Sequence, residues 1–217
     1  MVKWGIPPSH SLYASLICPF VGIREVEITG DLYREAKKKG LLRDPDVFLK
    51  MVLMYVEVTV DIVEEMVEMK IKVTDCIFGA IINGYAKTRG LFSSLKSYEK
   101  LKSLKCETGQ VTYASMINVY CRLGLYPNAE SMFVEMLERG FHKCVVAYST
   151  VVSMYGKNGR DRDAMWLLAK MKEKGCEPNV WVYNSLLDMH GRLLNLRQVG
   201  KLWKEMKVQF AKCTLEI

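Results

Sequence analysis

The chain lacks most of the features by which enzymes, secreted domains and membrane proteins announce themselves. Its seven cysteines, Cys18, Cys76, Cys106, Cys121, Cys144, Cys176 and Cys213, are odd in number and widely scattered. No C-x-x-C pair and no matching histidine pair accompanies them, so neither a disulfide framework nor a zinc site is expected. They read as small core or loop residues kept reduced. The three histidines, His10, His142 and His190, stand far apart. There is no glycine-rich phosphate loop, no H-x-E followed by P-C-x-x-C, no H-E-x-x-H and no recurring aspartate pair suited to two-metal phosphodiester cleavage. Catalysis, a cofactor and a small-molecule substrate are therefore not expected. The longest apolar stretch near the start, Leu12 to Ile23, is too short to span a bilayer and contains Pro19, so no membrane segment is expected. The first nine residues carry neither a signal peptide nor an Arg- and Ser-rich transit sequence and read as the tail of a preceding unit, which suggests a trimmed fragment.

What is present points to a folded body. Half of the 217 residues are apolar and only six are proline, enough to bury a substantial core. Lys and Arg outnumber Asp and Glu by 31 to 24, a formal charge of +7, which favours polyanionic partners over acidic substrates.

The chain also repeats itself. Segments beginning at Gln110, Val145 and Val180 align without a gap, with Tyr113, Tyr148 and Tyr183 in one place and Tyr120, Tyr155 and His190 in another, a period of 35 residues. Extended backwards, the period gives a unit over 75–109, with Phe78 and Tyr85 in those places, and a unit over 10–44, with Tyr13 and Phe20. The unit over 45–74 fits at Phe48, Tyr55 and Met66 but is only 30 residues long. Either it is shortened, or a turn between Tyr55 and Met66 is absent from the sequence. Units over 145–179 and 180–214, with a tail over 215–217, complete the division.

Each unit reads as two helices. In the first, apolar residues such as Tyr113, Met116, Ile117 and Tyr120 recur at three-four spacing and share a face. Gly124 and Gly159 mark the turn. In the second, Ala129, Met132, Phe133 and Met136 form the inner stripe, and Gly140 and Gly175 end the helix. Neither helix can bury its stripe alone, so the hairpins must stack into an all-α solenoid with a continuous core, to which the thirteen methionines belong as packing.

Residues not needed for packing then become readable. Lys87, Arg122, Lys157 and Arg192 lie two places after the second aromatic position in four consecutive units. Stacking would set them in a row, spaced by roughly 10 Å, which suits a polyanion backbone. Favourable interaction with the ends of the helix dipoles is the competing explanation.

The 35-residue period, the openings V-T-Y and V-V-A-Y, the YCRLG and YGKNG turns and the closings EMLERG and KMKEKGCEPN resemble pentatricopeptide repeats of the P type. The resemblance covers His10 to about Met206. It implies a right-handed superhelix whose first helices bind single-stranded RNA at about one base per repeat. In that family, the residue after the first aromatic and the residue closing the unit read the base edge, and the residue two before the aromatic clamps the base. Ser149 with Asn179 then resembles the pair that selects adenine, between clamps Val146 and Trp181, with Val111 the equivalent clamp one unit earlier. Asn184 resembles a pyrimidine reader whose closing partner is Thr214. Ala14 with Asp44 is half a match, and Leu49 with Thr74, Gly79 with Gly109 and Ala114 with Cys144 depart from the code.

Two function classes follow. The first, implied by the resemblance, is a non-catalytic RNA-binding factor of plant organelles, the chloroplast before the mitochondrion, in splicing, processing or stabilisation of transcripts, with other RNA-processing proteins as further partners. The second is a scaffold that offers the same groove to a protein.

Overall fold

The computed structural model describes residues 9–23, 25–54, 59–104 and 108–213. Among these there are twelve α-helices and no strand: α1 (His10–Gly22), α2 (Val26–Lys38), α3 (Pro45–Met54), α4 (Thr59–Glu68), α5 (Asp75–Thr88), α6 (Leu91–Ser103), α7 (Gln110–Leu123), α8 (Tyr126–Glu138), α9 (Val145–Lys157), α10 (Asp161–Glu173), α11 (Val180–Arg192) and α12 (Leu196–Cys213). Tyr55, Cys106 and Thr214 lie outside the described residues, as do the stretch that separates α3 from α4 and most of the expected terminal tails. No helix among the described residues is long and apolar enough to cross a membrane.

Two compact units divide the chain, Met1–Thr112 and Tyr113–Ile217. Within the first, α1 packs on α2 and α3, α3 on α4 and α5, α4 on α6, and α5 on α6. Its core holds Tyr13, Ile17, Phe48, Met66, Ile77, Phe78 and Leu101, each almost fully removed from water. Within the second, α9 packs on α8, α10 and α11, and α11 packs on α10 and α12. The periodic aromatics Tyr113, Tyr148 and Tyr183 are buried, as are Ala129, Met132, Phe133 and Met136 of α8. Phe133 meets Tyr148 of the next hairpin edge to face, with ring centroids 5.1 Å apart. Burial of such side chains stabilises the stack by about 1.5–3 kcal/mol each.

A hydrogen bond inside the hairpins supplements this packing. The hydroxyl of Tyr113 donates to Glu135 at 2.6 Å, and that of Tyr183 donates to Glu205 at 2.7 Å, each bond spanning 22 residues from first to second helix. In the first hairpin Lys39 donates both to the Tyr13 hydroxyl, at 3.0 Å, and to Glu35, which again stands 22 residues after its tyrosine. Arg139 and Lys39 cover the faces of Tyr113 and Tyr13. Tyr148 is the exception. Lys170 occupies the place of the glutamate and pairs with Glu173 instead. The buried Tyr148 hydroxyl has no hydrogen-bond partner among the described residues.

The turns follow a similar rule. Gly124 and Gly159 adopt φ values of +74° and +69° between the two helices of their hairpins. Leu194 stands one period later and takes φ +55°, a conformation that crowds a Cβ against the following carbonyl.

Candidate nucleic-acid interface

The first helices of the second unit combine into one open groove of about 310 Å³. Residues four apart on a helix share a face. Ser149, Ser153 and Lys157 therefore form a column on α9, and Asn118 with Arg122 forms the matching part of a column on α7. All five line the groove, together with Trp181 from the start of α11. Cys121 borders it as well, and burial pushes its thiol up to about 11 despite the nearby Lys157, so it stays neutral at physiological pH.

The charges are sorted by helix. On the second helices and at their caps, cations and carboxylates are mutually engaged: Lys37 with Glu65 at 2.6 Å, Lys100 with Glu64 at 2.9 Å, the N-cap Arg160 with Glu130, and Lys172 with Glu205. Arg122 and Lys157, in the last turns of α7 and α9, are exposed and have no acidic partner among the described residues. Arg192 differs. It pairs with Asp188 at 3.0 Å and donates to the carbonyl of Gly156 at 3.3 Å. That reach is short because α9 and α11 approach closely: a Cβ on Gly156 would sit 3.4 Å from that of Met189. Lys87, in the last turn of α5, is likewise exposed and lies in the first unit.

The residues singled out for base contact are divided. Ser149 lines the groove and donates its hydroxyl proton to the carbonyl of Val146 at 2.9 Å, which leaves the oxygen lone pairs for a ligand. Asn179 is the N-cap of α11. Its side-chain oxygen accepts from the Val182 N–H at 3.1 Å, which leaves the amide NH2 as donor. It borders a different hollow, between the start of α11 and α12, so Ser149 and Asn179 do not line the same one. Val146 and Trp181 are 61% and 74% exposed, and the indole of Trp181 stands at the groove edge rather than inside a hairpin junction. Asn184 is exposed on α11. In the first unit, Ala14 and Asp44 line one hollow with His10 and Cys18. Asp44 also accepts from the N–H of Asp46 at 3.0 Å. The exposed Val111 has its N–H committed to Asp75 at 2.6 Å. Asp75 also accepts from the N–H groups of Gly109 and Thr112 and from the Thr112 hydroxyl. Gly109, which closes the unit over 75–109, is thus engaged in fastening the next helix start.

Sequence reasoning missed three of these features: the groove-lining Asn118 and Ser153, the neutralising Asp188, and the bonds from tyrosine to glutamate. The first two had a signal in the period, since Asn83, Asn118, Ser153 and Asp188 recur at one place, four residues before each cation.

Comparison with known proteins bears on this arrangement. The PPR repeat family model matches residues 143–192, and the PPR repeat model matches residues 111–141 and 181–209. A chloroplastic pentatricopeptide repeat-containing protein of Arabidopsis thaliana is 54% identical over 115 residues, covering 51% of this chain and 19% of that protein. Among solved structures, the pentatricopeptide repeat protein PPR10 from maize superposes with a TM-score of 0.65 at 21% identity, over 94% of this chain and 30% of the other. The same maize protein in complex with an 18-nt psaJ RNA element gives 0.61 at 19% identity, over 97% and 32%. The chain thus spans about a fifth of that curated relative and about a third of the maize protein. Helical hairpins at a 35-residue period, the repeat models matching within residues 111–209 and the shared solenoid fold agree: the chain carries pentatricopeptide repeats.

Proposed function

We propose that this chain binds single-stranded RNA in the groove formed by α7, α9 and α11, and that it acts by holding a transcript rather than cutting it. One observation carries the reading. Arg122 and Lys157 reach the groove without acidic partners among the described residues, beside the hydroxyl of Ser149 and the exposed face of Trp181. Two cations there can engage successive phosphates, while an indole offers a base a stacking surface and Ser149 a hydrogen-bonding group. The hydroxyl of Ser149 and the amide NH2 of Asn179, at the border of the neighbouring hollow, would together bias the reading toward adenine, and Lys87 is proposed as a phosphate contact of the first unit taken by itself. Support also comes from the RNA in the maize complex and from the chloroplastic relative. The proposed setting is organellar RNA metabolism, in the chloroplast before the mitochondrion.

The test is a titration of labelled single-stranded RNA at several salt concentrations, with the wild type and with Arg122→Glu/Lys157→Glu. Saturable binding that weakens with salt is expected, and each lost phosphate contact should flatten the log–log salt slope by about 0.7. A protein scaffold would show no saturable binding at low salt, and the charge reversals would change nothing.

A further inference from the structure

The columns on α7 and α9 hold a middle position that neither base reading nor phosphate binding uses. On α9 it is Ser153, one helical turn from Ser149 and one turn from Lys157; on α7 it is Asn118, one turn before Arg122. Both line the groove, both are partly accessible, and neither side chain has a hydrogen-bond partner among the described residues. Being partly accessible, both are hydrated and available to a ligand, whereas the hydroxyl of Thr150 is committed to the carbonyl of Val146 at 2.8 Å.

Along a helix the rise is about 1.5 Å per residue, so Ser153 stands about 6 Å from the level of Ser149 and about 6 Å from that of Lys157. A nucleotide laid across the column, with its base at Ser149 and its phosphate at Lys157, sets its sugar opposite Ser153. Asn118 stands likewise one turn before Arg122, although Ala114, in the place of Ser149, is buried and only the sugar and phosphate places of that column line the groove. Serine and asparagine each supply a donor and an acceptor, and the group on the sugar that both gives and takes a hydrogen bond is the 2′-hydroxyl, which distinguishes RNA from DNA. We infer that Asn118 and Ser153 are specificity-determining residues that hydrogen-bond ribose 2′-hydroxyls and make the groove prefer RNA over DNA of the same sequence. This rests on the RNA-binding reading above.

The experiment compares an oligo(A) RNA with the matching oligo(dA) DNA, on the wild type and on Asn118→Ala/Ser153→Ala, in the full chain, with thermal melting as a check of folding. Wild type should bind RNA the more tightly. The double variant should lose about fivefold in RNA affinity for each bond removed, while its DNA affinity and its salt slope stay unchanged. Ser153→Thr, which keeps the hydroxyl, should retain the preference. Equal losses for RNA and DNA, or an unchanged ratio of the two affinities, would overturn the inference and leave RNA binding intact. Failure of the wild type to bind RNA at low salt would instead overturn the parent reading and this one with it.

Discussion

A tyrosine hydroxyl in the core needs a partner, and the chain provides one at Tyr113 and Tyr183 but not at Tyr148. Removing the oxygen should have opposite consequences at equivalent places. Tyr183→Phe breaks a bond to a charged group and should lower stability by about 1–2 kcal/mol. Tyr148→Phe removes an unsatisfied buried group and should be neutral or stabilising, as urea melts of the two variants would reveal. Leu194 offers a second comparison, because its place is glycine in the two preceding hairpins and its φ is +55°. Leu194→Gly should stabilise the chain by about 1 kcal/mol and raise Tm by about 2–4 °C; a lower Tm would show that the exposed leucine contributes contacts that outweigh its strain. Neither residue was legible beforehand. Period and residue type identified the tyrosines as buried, but not which of them had a partner 22 residues away.

At the scale of the helix, α9 and α11 share a pattern and differ in charge. Ser149, Ser153 and Lys157 on the first correspond to Asn184, Asp188 and Arg192 on the second, and Asp188 turns the last of these into an ion pair. A cation so neutralised is weakened as a phosphate ligand, which places the strongest attraction on α7 and α9. Asp188→Asn should release Arg192, tighten RNA binding and steepen the salt dependence by about 0.7 in log–log slope. An unaltered slope would mean that Arg192 remains held by the Gly156 carbonyl. The helices themselves were largely readable. First helices start at His10, Pro45, Asp75, Gln110, Val145 and Val180, 35 residues apart except for the step of 30 from Pro45 to Asp75, because three-four apolar spacing and turn glycines are local signals. The pairing of Arg192 was not, since the period showed four like cations and an acidic neighbour one turn away was not weighed.

Across the molecule, the excess of 31 basic over 24 acidic residues is unevenly distributed. Several second-helix charges cancel in pairs, and the cations at the ends of α7 and α9 do not. Ionisation of the buried tyrosines should weaken the fold at alkaline pH. Burial first, and a neighbouring Glu65 or Glu205 second, hold Tyr33 and Tyr183 well above the ordinary tyrosine range, and Tyr155 is pushed up to about 12. A group whose folded pKa exceeds its unfolded value of about 10 contributes stability that is complete below that value and lost as pH rises through the folded one. Urea midpoints should therefore fall between about pH 10 and pH 12, and less steeply in Tyr183→Phe. A flat profile would mean that these hydroxyls are open to water. Glu205 behaves in the opposite sense: burial raises its pKa, but bonds from Lys172 and Tyr183 outweigh burial and set it below the usual carboxylate range, so its contribution is lost only on acidification. The tyrosine-to-glutamate bond has one more consequence. It ties together two arms of a single hairpin rather than neighbouring hairpins, so each such piece travels with its own internal brace. A hairpin grafted into another array of the same period would bring that brace along, leaving only the outer faces to be refitted to new neighbours.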